Sequence, residues 1–203
     1  MKWRVQSLFP TALFVDKLDF KLNKKQLKYT KTCERKQNTF NISSSNSYVL
    51  NLDLFKNLKE KIEEKVAHYL LDIDFAPHNI NFFITQSWFN YTKENQAHHE
   101  HEHPNSYLSG VYYIDADKKL DSIMFINKRY TGQISLPATE YNDYNSKSYK
   151  LPVSTGDIIL FPSSTTHKVN TKKGKNERLS LAFNVFIKGT VGSDRDLTEL
   201  ILD

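Results

Sequence analysis

A mainly β fold, a sandwich or barrel with flanking helices on one side, is predicted by three observations. Aromatic residues are abundant, with 11 Tyr and 13 Phe, and they favour strands over helices as the framework. After Pro77, short apolar runs recur between turn clusters such as Asp115-Ala116-Asp117-Lys118, Ser154-Thr155-Gly156-Asp157 and Lys172-Lys173-Gly174-Lys175-Asn176. Helix periodicity is confined to the part before Pro77, giving helical support at about residues 22–71. A chain of 203 residues fits one domain, taken as residues 1–203.

The elements follow in order. Residues 3–15 mix apolar and turn residues and predict one or two short edge strands. Leu22 to Gln37 is rich in lysine and good helix formers and reads as a solvated helix, with Cys33 on or near its buried stripe. Ser43-Ser44-Ser45-Asn46-Ser47 is a loop by composition. Residues 52–71 give the clearest helix: Leu54, Leu58, Ile62, Val66 and Leu70 recur every four residues, and Asn51 or Asp53 is placed to cap it. Strands are expected at Ile80–Tyr91, Tyr107–Asp115, Ser122–Asn127, near Gln133–Leu136, and at Tyr149–Val153, Asp157–Phe161, His167–Asn170 and Arg178–Lys188. Leu197, Leu200 and Ile201 read as a last apolar turn docking on the body.

Composition narrows the function classes. Hydrophobic residues make up 39% of the chain, enough for a substantial core and far from a disordered composition. The net charge of +5 is modest and diffuse, and the lysine-rich turn at 172–175 lacks interleaved aromatics, so no nucleic-acid partner is expected. One cysteine, Cys33, excludes an internal disulfide framework and fits a reducing compartment. No apolar run approaches the roughly 18 residues needed to span a bilayer. No membrane partner and a cytoplasmic location are therefore expected. His68 on the helix and His78 in the turn after Pro77 are read as surface side chains.

The chemistry concentrates between Gln96 and Gly110. Four of the seven histidines, His98, His99, His101 and His103, fall within six consecutive positions, beside Glu100 and Glu102. Neutral imidazole is the commonest side-chain ligand for a transition metal. In an extended segment positions i and i+2 share a face, which groups His99, His101 and His103 against His98, Glu100 and Glu102. A chelating pair is then His-x-His or His98-x-Glu100. His167 can supply a third ligand if its strand lies alongside. Three protein ligands leave coordination positions open, the mark of a catalytic site.

Arg178 lies eleven residues beyond His167 and opens a strand with Arg178, Ser180, Ala182 and Asn184 on one face and Leu179, Leu181, Phe183 and Val185 on the other. A polar inward face is costly unless it meets a ligand or water. The planar guanidinium suits a carboxylate held by two parallel hydrogen bonds, and Ser180 points the same way.

These residues resemble the iron- and 2-oxoglutarate-dependent dioxygenases, and more narrowly an oxygenase subgroup common in marine bacteria and their phages. The matching stretches are Leu8-Phe9-Pro10-Thr11, Ser87-Trp88-Phe89-Asn90, His101-Glu102-His103-Pro104, Leu108-Ser109-Gly110-Val111-Tyr112-Tyr113, Gly156 to Ser163, His167-Lys168-Val169 and Arg178 to Asn184. The resemblance implies a double-stranded β-helix (jelly roll), Fe(II) held by His101, His103 and His167, and 2-oxoglutarate as co-substrate gripped by Arg178 and Ser180. Asn90, Tyr112 and Tyr113 are implied wall residues, of which Asn90 and Tyr112 are assigned to the co-substrate. Neighbours alternate, so one tyrosine only should face the cavity. His103 stands where the family usually has an acid, and a shift of register to His98 and Glu100 would restore one.

The implied reaction couples decarboxylation of 2-oxoglutarate with dioxygen to hydroxylation of an unidentified small molecule or peptide. Self-association as a homodimer is left open, and the location would be the host cytoplasm if the chain is phage-encoded. Two other readings stand beside it: a cupin-like metalloenzyme, or zinc hydratase or hydrolase, without 2-oxoglutarate, and a non-catalytic jelly-roll interaction protein. The cupin reading lacks its acidic fourth ligand, since Asn105, Ser106 and Tyr107 follow His103.

Overall fold

The computed structural model describes residues 3–128 and 137–202. Its elements are β1 (Phe14–Lys17), α1 (Lys24–Thr32), β2 (Arg35–Gln37), β3 (Ile42–Ser44), α2 (Lys56–His68), β4 (Asn81–Thr92), β5 (His98–His101), β6 (Leu108–Asp115), β7 (Ser122–Ile126), β8 (Ser148–Pro152), β9 (Asp157–Pro162), β10 (His167–Val169), β11 (Arg178–Val191) and β12 (Leu200–Leu202). Two antiparallel sheets result. The larger runs β1-β9-β6-β11-β4-β3-β2 with β12 added to β11, and the smaller runs β5-β10-β7-β8. The strand expected near Gln133–Leu136 lies outside the described residues.

Strand β11 is the spine. It pairs with β4 from Arg178↔Thr92 to Lys188↔Asn81 and with β6 from Leu179↔Asp115 to Val185↔Leu108. Its alternation separates two cores. Leu181, Phe183 and Val185 pack with Leu58, Ile62 and Val66 of α2, all fully buried, so the helices cover one face of the large sheet. On the opposite face Tyr113, Ile159 and Phe161 of the large sheet meet Ile123, Phe125, Leu151 and Val153 from the small sheet and its margin. Each such side chain removed from water stabilises the fold by about 1.5–3 kcal/mol. The slot between the sheets is where the site lies.

Close packing leaves no room at Gly110. A Cβ there would sit 2.1 Å from Cζ of Phe183 and 2.8 Å from Cδ2 of Leu160. Both neighbours are fully buried and cannot swing away. Gly110→Ala should therefore lower unfolding free energy by about 3 kcal/mol, the upper part of the overpacking range, as read from a urea midpoint. An unchanged midpoint would mean that β6 can slide.

Several local expectations are corrected. α1 is capped by Asn23, whose Oδ1 accepts from the backbone of Lys25 and Gln26 at 2.9 and 3.0 Å, and Gln26 returns the bond to the Asn23 N–H. It stops at Thr32 rather than continuing to Gln37, because Arg35–Gln37 join the sheet beside β3 and the Arg35 guanidinium stacks 3.7 Å over the Tyr91 ring. Neither Asn51 nor Asp53 caps α2. Those residues lie in two 3₁₀ turns, Val49–Asn51 and Asp53–Phe55, and a π-helical turn, Tyr69–Ile73, follows the helix. The C-terminal apolar turn is instead strand β12 on the end of β11, with Leu197 91% exposed. Lys172, expected in a solvated turn, is buried with its Nζ 3.5 Å from Asp121. His68 is exposed as expected, paired with Asp72. No helix among the described residues is long and apolar enough to cross a membrane.

Candidate metal centre

Two chain segments bring the histidines together. β10 pairs antiparallel with β5 so that His167 lies opposite His101, and the backbone N–H of His103, two residues beyond β5, donates to the Ser163 carbonyl at 3.0 Å. The ring centroids of His101 and His167 are 4.3 Å apart, those of His103 and His167 5.1 Å, and those of His101 and His103 5.0 Å. One ligand nitrogen from each of the three lies within 4.8 Å of the others. Nε2 of His103 and Nε2 of His167 face each other at 3.4 Å.

The outer nitrogens determine the tautomers. Nδ1 of His167 donates to the Thr165 carbonyl at 2.9 Å and Nδ1 of His101 donates to the His99 carbonyl at 2.8 Å. Each proton is thereby held on Nδ1, leaving Nε2 with its lone pair turned inward. Burial pushes His167 down to about 3 and His103 down to about 4, and it lowers His101 as well. All three are neutral near pH 7, the form that donates to a metal. Phe125 and Phe161 wall His167, and the Trp88 ring lies 6.2 Å from that of His103.

No acid joins them. Glu100 pairs with Lys128 and Lys168, and Glu102 pairs with Lys128 and accepts from the Thr166 hydroxyl. Among the described residues, the candidate ligand sets contain histidine alone. The chemistry of this donor set, three imidazoles with no carboxylate, fits a divalent first-row transition ion and not Mg²⁺ or Ca²⁺.

Arg178 opens β11 on the same cleft. It is 3% exposed, donates from one terminal nitrogen to Thr92 Oγ1 at 3.1 Å and from the other toward the Ser122 carbonyl at 3.5 Å, and its buried Nε has no partner. No carboxylate pairs with it among the described residues: Asp121 is taken by Lys172, and Glu177 by Arg35 and Lys93. A buried guanidinium without an anion is costly, and the orphaned Nε marks where one fits. The open cleft is lined by the three histidines, Arg178, Ser180 and Asn90, together with His98, Trp88, Ser109 and Tyr113.

Most predicted site residues thus converge, with two corrections. Tyr112 does not reach the cleft: its hydroxyl donates to the Phe20 carbonyl at 2.8 Å and its ring belongs to the helix-side core, whereas Tyr113 faces the histidines' side. The second concerns His98, predicted on the face opposite His101. Pairing advances three residues on β5, His98 to His101, against two on β10, Val169 to His167. This bulge turns the ring of His98 onto that of His101, stacked at 4.5 Å and 17°. Trp88 and Ser109 were not anticipated. The period-2 pattern of β4 and β6 would have found them, since Trp88 shares a face with Asn90, and Ser109 with Tyr113.

Comparison with known proteins agrees with this geometry. Residues 86–184, which hold every residue of the histidine set and Arg178, match the family model described as "Putative 2OG-Fe(II) oxygenase". No curated protein matches the sequence. Among solved structures, HygX from Streptomyces hygroscopicus with nickel and 2-oxoglutarate bound is similar with a TM-score of 0.62 at 11% identity, covering 86% of this chain and 82% of that one. A Pseudomonas putida prolyl-4-hydroxylase is similar with a TM-score of 0.56 at 10% identity, over 86% of this chain and 92% of that one. A Burkholderia pseudomallei oxidoreductase of the 2OG-Fe(II) oxygenase family gives 0.53 at 12%, over 80% and 79%. The two facing sheets are the jelly roll expected from the sequence.

Proposed function

We propose that this chain, whose residues 86–184 match the family model of the 2OG-Fe(II) oxygenases, is an Fe(II)- and 2-oxoglutarate-dependent dioxygenase that hydroxylates a small molecule or peptide. His101, His103 and His167 would hold the iron, and Arg178 with Ser180 would grip the distal carboxylate of 2-oxoglutarate, with Asn90 beside them. The single observation that carries the reading is the meeting of a neutral three-histidine set and an unpaired buried guanidinium in one cleft. A cupin-like or hydrolytic zinc site accounts for the histidines but leaves Arg178 without a purpose.

Iron and 2-oxoglutarate, when bound, supply activation of dioxygen, with the keto acid oxidised to succinate and CO₂ and one oxygen atom inserted into a C–H bond. The residues of this chain prepare that chemistry. The neutral imidazoles contribute no negative charge, so the anionic co-substrate balances the ion and binds more firmly when the metal is present. Arg178 orients the co-substrate by its far end, and Ser180 adds a hydroxyl on the same face of β11. Ile123, Val111 and Phe161 also line the cleft, and apolar walls of this kind strengthen charge pairing within it.

HygX has been seen with hygromycin B and the epimerase SnoN with nogalamycin RO, which supports a small-molecule substrate for this chain too. Residues 1–203 are read as one domain, and a cytoplasmic location accords with the unpaired Cys33. Anaerobic addition of Fe(II) and then 2-oxoglutarate should raise a weak visible charge-transfer band, and prior EDTA treatment should abolish it. A mixture that stays colourless although iron is bound would favour the reading without 2-oxoglutarate instead.

A further inference from the structure

A second group of imidazoles lies outside the set assigned to iron. The ring centroids of His98 and His99 are 5.0 Å apart and those of His99 and His101 4.8 Å, completing a triangle with the stacked His98–His101 pair. One nitrogen from each lies within 4.8 Å of the others, as in the inner set. Position differs. His99 is exposed and His98 half-buried, whereas His167 at the back of the cleft is buried. His98 and His101 both line the cleft, so anything held between them stands in its mouth.

His101 belongs to both groups and has one nitrogen to give. Its Nδ1 proton is committed to the His99 carbonyl, so Nε2 is the single lone pair on offer. An ion bound by all three outer rings must take that lone pair from the inner set. The bulge that stacks His98 on His101 is what makes the outer triangle, since regular alternation would have sent His98 to the other face. Glu100, the nearest acid in sequence, is held by Lys128 and Lys168, so the outer group is all nitrogen.

We propose that His98, His99 and His101 form an outer cation seat at the mouth of the cleft, exclusive with the inner seat of His101, His103 and His167, for a borderline-soft divalent ion such as Zn²⁺. Imidazoles without carboxylates select Zn²⁺, Ni²⁺ or Cu²⁺ over Mg²⁺ and Ca²⁺. An occupant there removes a ligand from the inner seat and obstructs the cleft, so the seat makes the protein sensitive to excess zinc. This does not depend on 2-oxoglutarate chemistry.

The test is the number of Zn²⁺ ions retained in equilibrium dialysis, with folding followed by circular dichroism. Exclusive seats predict one ion for the intact chain, one for His103→Ala/His167→Ala, one for His98→Ala/His99→Ala, and none for the fourfold variant. If removal of His103 and His167 prevents folding, His103→Gln/His167→Gln keeps the bulk and carries the same expectation. No retained zinc in the inner-seat variant would overturn the outer seat, and two ions on the intact chain would overturn exclusivity. Failure of the inner assignment looks different: His98→Ala/His99→Ala would then bind no zinc.

Discussion

His167→Gln is expected to leave a folded protein that no longer retains iron. Gln fills roughly the space of the imidazole between Phe125 and Phe161, so packing is disturbed little. The inward Nε2, held in its tautomer by the Thr165 carbonyl, is lost. Of the set assigned to iron, His101 and His103 from one short segment then remain. Losing only a hydrogen-bond partner of a ligand costs roughly 10–100-fold in metal affinity, so losing the ligand should cost at least about 100-fold. Metal content after gel filtration under anaerobic Fe(II) reads the outcome directly. One equivalent of iron retained by the variant would place the centre on other residues, first among them the outer group of His98, His99 and His101.

That a residue 64 positions from His103 could be foreseen as its partner says something about what a sequence reveals. His101-x-His103 is local and needs only the period of an extended chain. His167 needed the pairing of two strands, which composition cannot give, and the order of motifs in a known family supplied it. The bulge between β5 and β10 had no local signal, because it comes from a mismatch of pairing steps between two segments. Its consequence, His98 on the side of His101, was therefore out of reach.

The choice between Tyr112 and Tyr113 failed for a related reason. Two adjacent tyrosines have the same chemistry, so alternation says that one faces the cleft without saying which. The parity was recoverable from neighbours. Ser109 is a polar residue that suits the cleft side, and Gly110 is small where Phe183 presses from the helix side, which puts odd positions toward the metal. The end of α1 was hidden because lysine-rich sequence has good helix propensity, while the stacking of Arg35 on Tyr91 is a contact between distant elements. By contrast, the stripe Leu58, Ile62, Val66 and the two faces of β11 were legible, since each is one period seen against one core.

Arg178→Met should separate co-substrate binding from everything else. A buried guanidinium bonded only to neutral groups, Thr92 and the Ser122 carbonyl, contributes little to the fold and carries a desolvation cost. Replacing it by an apolar side chain of similar length should leave the unfolding midpoint of the free protein unchanged or slightly raised. Were Arg178 a structural anchor, the midpoint would fall instead. Binding of 2-oxoglutarate should respond in the opposite sense. Truncating one partner of a buried, hydrogen-bonded charge pair costs about 2–5 kcal/mol, equivalent to a rise in Kd of at least about 30-fold. Iron content should stay at the level of the unaltered protein, because Arg178 is in neither ligand set. Calorimetric titration of 2-oxoglutarate into the metal-loaded variant, with metal analysis of the same sample, checks both halves. Undiminished 2-oxoglutarate affinity with iron in place would mean that another cation in the cleft holds the carboxylate, and Lys168, which also lines it, would then be the group to replace.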